Sequence, residues 1–192
     1  MATAVYVKDG DCCKYFVCFA PEENKTVDVA ETVVEREAFK NADGVEYVSF
    51  EKCETVKQFA FEDCRELKAV VWGKASKNNT NEENEKKTEK GLIGLAVSEV
   101  ANLTIQSGAF KDCTKLQAVV FPKVSGKLVI EKDAFAGCSN LRTVVFPTCA
   151  GKIEIRDDAF HDCFKEMLHF IVSKQSVAEK YAEKYGFEVF ND

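Results

Sequence analysis

The chain has 192 residues, and its 46% hydrophobic content with 15 Phe supplies a packed core, which excludes wholesale disorder. Its 26 Lys and Arg stand against 32 Asp and Glu, a formal net charge of −6, which repels a phosphate backbone and excludes nucleic acid as a partner. No stretch approaches the roughly 18 consecutive apolar residues of a membrane-spanning helix.

Taken from the start, Met1 to Asp9 shows neither a basic region nor an unbroken apolar run, so no secretory signal is visible. Residues 1–32 have no period and are expected to cap one end of the body formed by the rest of the chain. Cys12, Cys13 and Cys18 lie in this segment, but C-C-x4-C lacks the paired spacing of a zinc site.

From Val33 to Val172 a repeat governs the chain. Residues 108–122 and 133–147 share the template A-F-x-x-C-x-x-L-x-x-V-V-F-P, and the residues Phe39, Phe61, Phe110, Phe135 and Phe160 recur with steps of 22, 49, 25 and 25. Cys64, Cys113, Cys138 and Cys163 recur with steps of 49, 25 and 25. A period near 25 residues means a solenoid, in which each coil cannot bury its own apolar face and stacks on a neighbour.

The template residues have separate tasks. Val144 and Phe146 are two apart and point to one side of a short strand, the interior. Phe50, Trp72, Phe121 and Phe146 are thus expected to form one interior aromatic column, with the Ala-Phe phenylalanines forming a second. Pro122 and Pro147 are expected to end strands, since proline cannot donate to a continuing ladder. The runs Leu103–Ile105, Leu128–Ile130 and Ile153–Ile155 read as strands of the opposite wall.

The repeat resembles the BspA-type leucine-rich repeats, which couple an Ala-Phe pair, a Cys three residues on, a Leu and a short strand closed by Pro. The resemblance implies a leucine-rich-repeat solenoid of about five coils, 33–172, in a single domain 1–192. It departs from the pattern at Ala42, where the first coil should carry Cys, and in the last coil, which has one extra residue before its strand. It departs also at the step of 49, which exceeds a coil by 24 residues. Residues 74–90 read K-A-S-K-N-N-T-N-E-E-N-E-K-K-T-E-K and cannot supply core columns, so this surplus is expected to be a solvated insertion, with Leu92 to Val100 folding back onto the solenoid wall. If so, the strands through Trp72 and Phe121 are direct neighbours.

Beyond Val172, Ser176 to Gly186 is helical in period and ends on a Gly suited to a helix stop, and Phe187–Phe190 reads as a closing strand. Residues 173–192 are expected to cover the last open rung as a helix-strand cap.

The nine Cys are odd in number, and the four in the repeat column stack in parallel about 4.8 Å apart, beyond the roughly 3.5–4.5 Å between Cβ atoms of a disulfide. Buried free thiols are expected. Cys163 belongs to the interior repeat column whereas His161 is expected outside, which rules against a catalytic dyad, and no phosphate loop, nucleophile elbow or carboxylate motif appears. No catalytic residue, metal or cofactor is assigned.

The informative surface is the strand face turned away from the core. By register it presents Tyr47, Ser49, Val71, Val120, Val145, His169 and Ile171, an apolar strip that reads equally as a partner site or as β-branched residues favouring strands. Because relatives in the resembled family are commonly surface-exposed and adhesive, the resemblance implies a monomeric, non-catalytic binding module for a protein or host-matrix ligand at the cell surface. The alternative is an intracellular scaffold or regulatory interaction protein, consistent with the absence of a visible signal and with reduced Cys.

Overall fold

The computed structural model describes residues 4–9, 12–18, 25–76, 92–146 and 151–191, with 4–9, 12–18, 74–76 and 92–96 described by backbone alone. It is a parallel β-solenoid closed by one helix and a final strand. One wall is built from Thr26–Val29, Tyr47–Phe50, Ala69–Ser76, Ala118–Val120, Thr143–Val145, His169–Val172 and Glu188–Asn191, each parallel to the next. The opposite wall carries Val33–Val34, Thr55–Val56, Leu103–Ile105, Lys127–Ile130 and Lys152–Ile155, also parallel and in register. The strand Ala118–Val120 stops short of Pro122, whereas Pro147 lies outside the described residues.

The interior holds both aromatic columns. The Ala-Phe rings stack nearly parallel, with centroids 4.8 Å apart for Phe39 and Phe61, 5.1 Å for Phe61 and Phe110, 5.2 Å for Phe110 and Phe135, and 5.0 Å for Phe135 and Phe160. The strand column runs Phe50, Trp72, Phe121, Phe146 and Phe170, meeting the first column edge-on where Phe121 faces Phe135 at 81°. Trp72 buries its indole by donating Nε1–H to the Cys53 carbonyl at 3.0 Å, the partner a buried Trp needs.

The Ala-Phe turn explains its own sequence. Residues two before and two after the Phe adopt the left-handed region in every coil: Glu37 and Asn41, Phe59 and Asp63, Gly108 and Asp112, Asp133 and Gly137, Asp158 and Asp162. Asp, Asn and Gly tolerate that conformation best, which is why they dominate the two positions. Phe59 is the bulky exception. Its ring lies over Gly108 of the next coil, where an added Cβ would meet it at 2.5 Å, so the two positions are coupled.

Between the two bends, each Phe N–H donates to the Ala carbonyl of the following coil, Phe39 to Ala60 and Phe61 to Ala109 at 2.7 Å, Phe110 to Ala134 and Phe135 to Ala159 at 2.8 Å. Those four alanines are fully buried, and a larger side chain would hold the coils apart.

The Cys column completes the ladder from the other direction. Each thiol donates to the Phe carbonyl of the preceding coil: Cys64 to Phe39 at 2.9 Å, Cys113 to Phe61 and Cys138 to Phe110 at 3.1 Å, Cys163 to Phe135 at 3.4 Å. The first coil has Ala42 at this position, and among the described residues no earlier Ala-Phe turn offers a carbonyl to it. The last coil, one residue longer before its strand, holds a single 3₁₀ turn, Lys165–Met167, after which Leu168 is fully buried, two residues before Phe170 where the other coils carry Leu three before.

Cys53, Cys64, Cys113, Cys138 and Cys163 are buried and free. Burial pushes the thiols of Cys64 and Cys163 up to about 12 and that of Cys53 up to about 11, and raises Cys138 well above the ordinary range. These thiols are therefore expected to resist iodoacetamide in the native protein at neutral pH and to react on unfolding. Mass-spectrometric detection of alkylated Cys113 or Cys138 before the unfolding transition would contradict the stacking. Side chains of Cys12, Cys13 and Cys18, and all of Cys149, lie outside what the structure describes.

Two surplus segments depart from the expected placement. The strands through Val71 and Val120 are direct neighbours, with Ala69 opposite Ala118 and Val71 opposite Val120, so the 24-residue surplus does not form a rung between them. Residues 77–91, most of the polar segment, lie outside the described residues. The strand Ala69–Ser76 instead runs on past Gly73 and pairs antiparallel with Leu92–Val97, which pairs in turn with Ala4–Asp9, and that strand with Cys12–Cys18. Leu92–Val97 thus runs in this side sheet, and Glu99–Val100 pairs with Lys123–Val124 in a two-stranded sheet of their own. The N-terminal pair of strands joins this side sheet, and Thr26–Val29 forms the first rung. Each of these strands leaves backbone groups unpaired on its own, so they satisfy one another.

Candidate functional site

The outward positions of the seven-stranded wall fall into two rows. One aligns Tyr47, Ala69, Ala118, Thr143, His169 and Glu188; the other aligns Ser49, Val71, Val120, Val145, Ile171 and Phe190. All seven residues expected on this face are there: Tyr47, Ser49, Val71, Val120, Val145, His169 and Ile171.

Their exposure is not uniform, and this corrects the reading of an open apolar strip. Val120 is 0% exposed, Val145 1% and Ile171 8%, and with Ala69 and Ala118 they make a second, smaller buried cluster. Tyr47, Val71 and Val97 pack against it. Val97 ends the strand that returns from the side sheet, so the surplus segment carries an apolar residue onto the face that the repeat pattern leaves bare. The valines in the middle of the face are a core, as apolar area of that kind requires.

Accessible positions therefore lie toward the two ends of the wall. At the N-terminal end Tyr47, Ser49 and Val71 are half-buried, and the Ser49 hydroxyl donates to the carboxylate of exposed Asp28 on the neighbouring strand. At the C-terminal end His169 is half-buried, its ring 5.4 Å from that of Phe190, which is 48% exposed on the edge strand. The His169 Nδ1 lies 2.9 Å from Glu188 Oε2, but off the line of a good hydrogen bond, so this is a charge contact only when the imidazole is protonated.

A different kind of site sits under the C-terminal cap. A cavity of about 300 Å³ opens between the last Ala-Phe turn and the helix Val177–Tyr185, floored by Phe160, Tyr181 and Phe187. No motif announced it, because it arises where the repeat stops.

The residues weighed for chemistry are kept apart. Cys163 points inward to the Phe135 carbonyl, while His161 lies outside, 2.9 Å from Asp162 and 3.9 Å from Asp133. Among the described residues no group of three or more His, Cys, Asp or Glu is placed to hold a metal, and no helix is long and apolar enough to cross a membrane.

No curated protein and no solved structure matches the chain. The family described as the BspA type leucine rich repeat region matches residues 18–88 and 96–188, in 6 copies. That match spans well over half of the sequence and takes in the described coils: the chain belongs to the BspA-type leucine-rich-repeat family, whose repeats typically mediate protein binding.

Proposed function

We propose that this chain is a non-catalytic adhesive module at the cell surface, which holds a protein ligand of the host matrix on the outward face of its parallel wall. The observation that carries the reading is the accessible polar and aromatic group at the N-terminal end of that face, Tyr47, Ser49 and Asp28, set on a rigid sheet. Tyr beside small polar groups gives large contact area at low entropic cost. With the central valines buried, a partner meets the ends of the wall, and the net charge of −6 favours a basic partner surface.

The test is surface plasmon resonance of the full chain against a panel of extracellular-matrix proteins. Saturable binding to one of them is expected, weakened at least about tenfold by Tyr47→Ala, which also lowers the melt because the ring packs on the second buried cluster, and weakened by Ser49→Ala with the melt little changed. His169→Ala reports whether the far end of the wall takes part. Absence of binding across the panel, or a Tyr47→Ala variant that binds as the parent does, would remove this reading.

A further inference from the structure

The closing strand covers one edge and opens another. Glu188–Asn191 ends the seven-stranded wall, and among the described residues it pairs with His169–Val172 alone. Its other side presents backbone N–H and C=O groups that none of those residues answers, a template for a further strand. Natural edges are blunted by lysine, by proline or by a bulge. Here the four residues read Glu-Val-Phe-Asn and pair in unbroken register, so none of the three is present.

The side chains around that edge are apolar and acidic. Four of the five exposed large apolar side chains among the described residues, Phe164, Met167, Val177 and Phe190, belong to the last coil and the cap. Phe190 lies on the edge strand itself, 48% exposed, and the turn Lys165–Met167 packs beside that strand. Two residues before Phe190, and so on the same face, stands Glu188, its side chain 58% exposed. Other carboxylates of the walls have lysines: Glu46 has Lys25 and Lys68, and Glu154 has Lys127 and Lys152. Glu188 has the His169 imidazole, off the line of a hydrogen bond, and no lysine or arginine in salt-bridge contact among the described residues.

An added strand meets this pair in a fixed order. The residues opposite Glu188 and Phe190 lie two apart and on one face, so a single extended segment presents both. A cation opposite Glu188 and an apolar side chain opposite Phe190 satisfy the edge together. A second copy of the closing strand carries no cation, and pairing with itself would leave both Glu188 carboxylates unanswered. An acidic segment would set like charges opposite each other.

We propose that the free edge of Glu188–Asn191 takes an extended segment of a partner protein as an eighth strand, with a lysine or arginine of that segment opposite Glu188 and an apolar residue, two positions away, opposite Phe190. Main-chain hydrogen bonds supply the affinity, and the two side chains select the sequence. The edge lies at the opposite end of the wall from Tyr47 and Ser49, and the proposal stands or falls without the adhesive reading.

The test is an amide chemical-shift titration of the labelled full chain with the peptide acetyl-Thr-Thr-Leu-Thr-Lys-Thr-Thr-amide, whose threonines favour the extended chain. A second peptide with Leu and Lys exchanged offers the other strand direction. Saturable shifts centred on residues 188–191, with slowed exchange of the amides there, are expected for one of the two. Glu in place of Lys in that peptide is expected to abolish saturation. Glu188→Gln in the protein is expected to weaken binding about threefold, and Phe190→Ser about fivefold. Of two versions of the peptide N-methylated at alternate residues, the one whose methyl groups face the edge is expected not to bind, a distinction that a merely adherent surface would not make. Equal binding of the glutamate peptide, equal binding of both methylated versions, no saturation with either order, or an unchanged affinity in Glu188→Gln would overturn the proposal. So would a dimer of the chain alone that Phe190→Ser dissolves, since a second copy would then hold the edge.

Discussion

Phe135→Ala is expected to lower the free energy of unfolding by about 3–5 kcal/mol, measured by urea denaturation. Phe135 is fully buried at the crossing of both aromatic columns, stacked between Phe110 and Phe160 and meeting Phe121 edge-on at 6.2 Å. Its backbone is spoken for in both directions, by the Ala159 carbonyl at 2.8 Å and the Cys163 thiol at 3.4 Å. The turn therefore cannot slide inward to fill the space, and the cavity stays. Because each coil touches only its neighbours, the loss falls on two adjacent interfaces together, and the transition should broaden as the coils before and after the defect decouple. Leu141→Ala, also fully buried, is expected to cost about 2–5 kcal/mol, and Lys132→Ala, exposed beside the same turn, close to nothing. Similar midpoints for the three variants would contradict the inward assignment of the repeat.

The features legible in the sequence are those that recur with the period. Phe110, Phe135 and Phe160 lie 25 apart and stack; Leu103–Ile105 and Leu128 to Ile130 lie 25 apart and pair. A regular spacing translates directly into neighbours, and this placed both columns and both walls. The Cys column was legible in position and burial, but its hydrogen bonds were not, since a pattern that accepts a small apolar residue looks the same as one that needs a donor. The pairing of Ala4–Val7 with Leu92–Leu95 left no trace, because strands that pair once, at a distance of some ninety residues, share no recurring residue type. The burial of Val120 and Val145 was hidden for the same reason: alternation places them on the outward face correctly, and only the unpatterned segment decides whether that face meets water. The cavity beneath the cap is a boundary effect, visible only once the last coil has been built.

That boundary also sets the largest effect expected in the molecule, the removal of residues 174–192. The helix Val177–Tyr185 is held by its own ends: the Ser176 side chain accepts the Glu179 N–H at 3.1 Å, and Gly186 stops it in the left-handed conformation at φ 77°. Its buried face, Ala178, Tyr181 and Ala182, lies on the last coil, and Phe187 stacks on Phe170 at 5.2 Å. The cap also finishes the ladder. Each earlier Phe N–H finds an Ala carbonyl on the next coil, and at Phe160, where no coil follows, the Tyr181 ring of the cap packs over the turn instead, 6.1 Å from the Phe160 ring. The closing strand Glu188–Asn191 pairs with His169–Val172 and keeps that strand from being the edge of the wall. Without the cap, Phe160, Phe170, Leu168 and Val172, none more than 2% exposed at present, would face water together with an unpaired strand, an arrangement that invites pairing with another chain. The truncated chain is expected to lose its single cooperative melt and to elute as large species on size-exclusion chromatography, whereas Ser176→Ala, which removes only the helix cap, should cost about 1 kcal/mol and leave the elution unchanged. A truncated chain that elutes as the parent does and melts at the same temperature would show that the last coil is self-sufficient, and that the stacking of Phe187 and Tyr181 on it contributes nothing to holding the solenoid together.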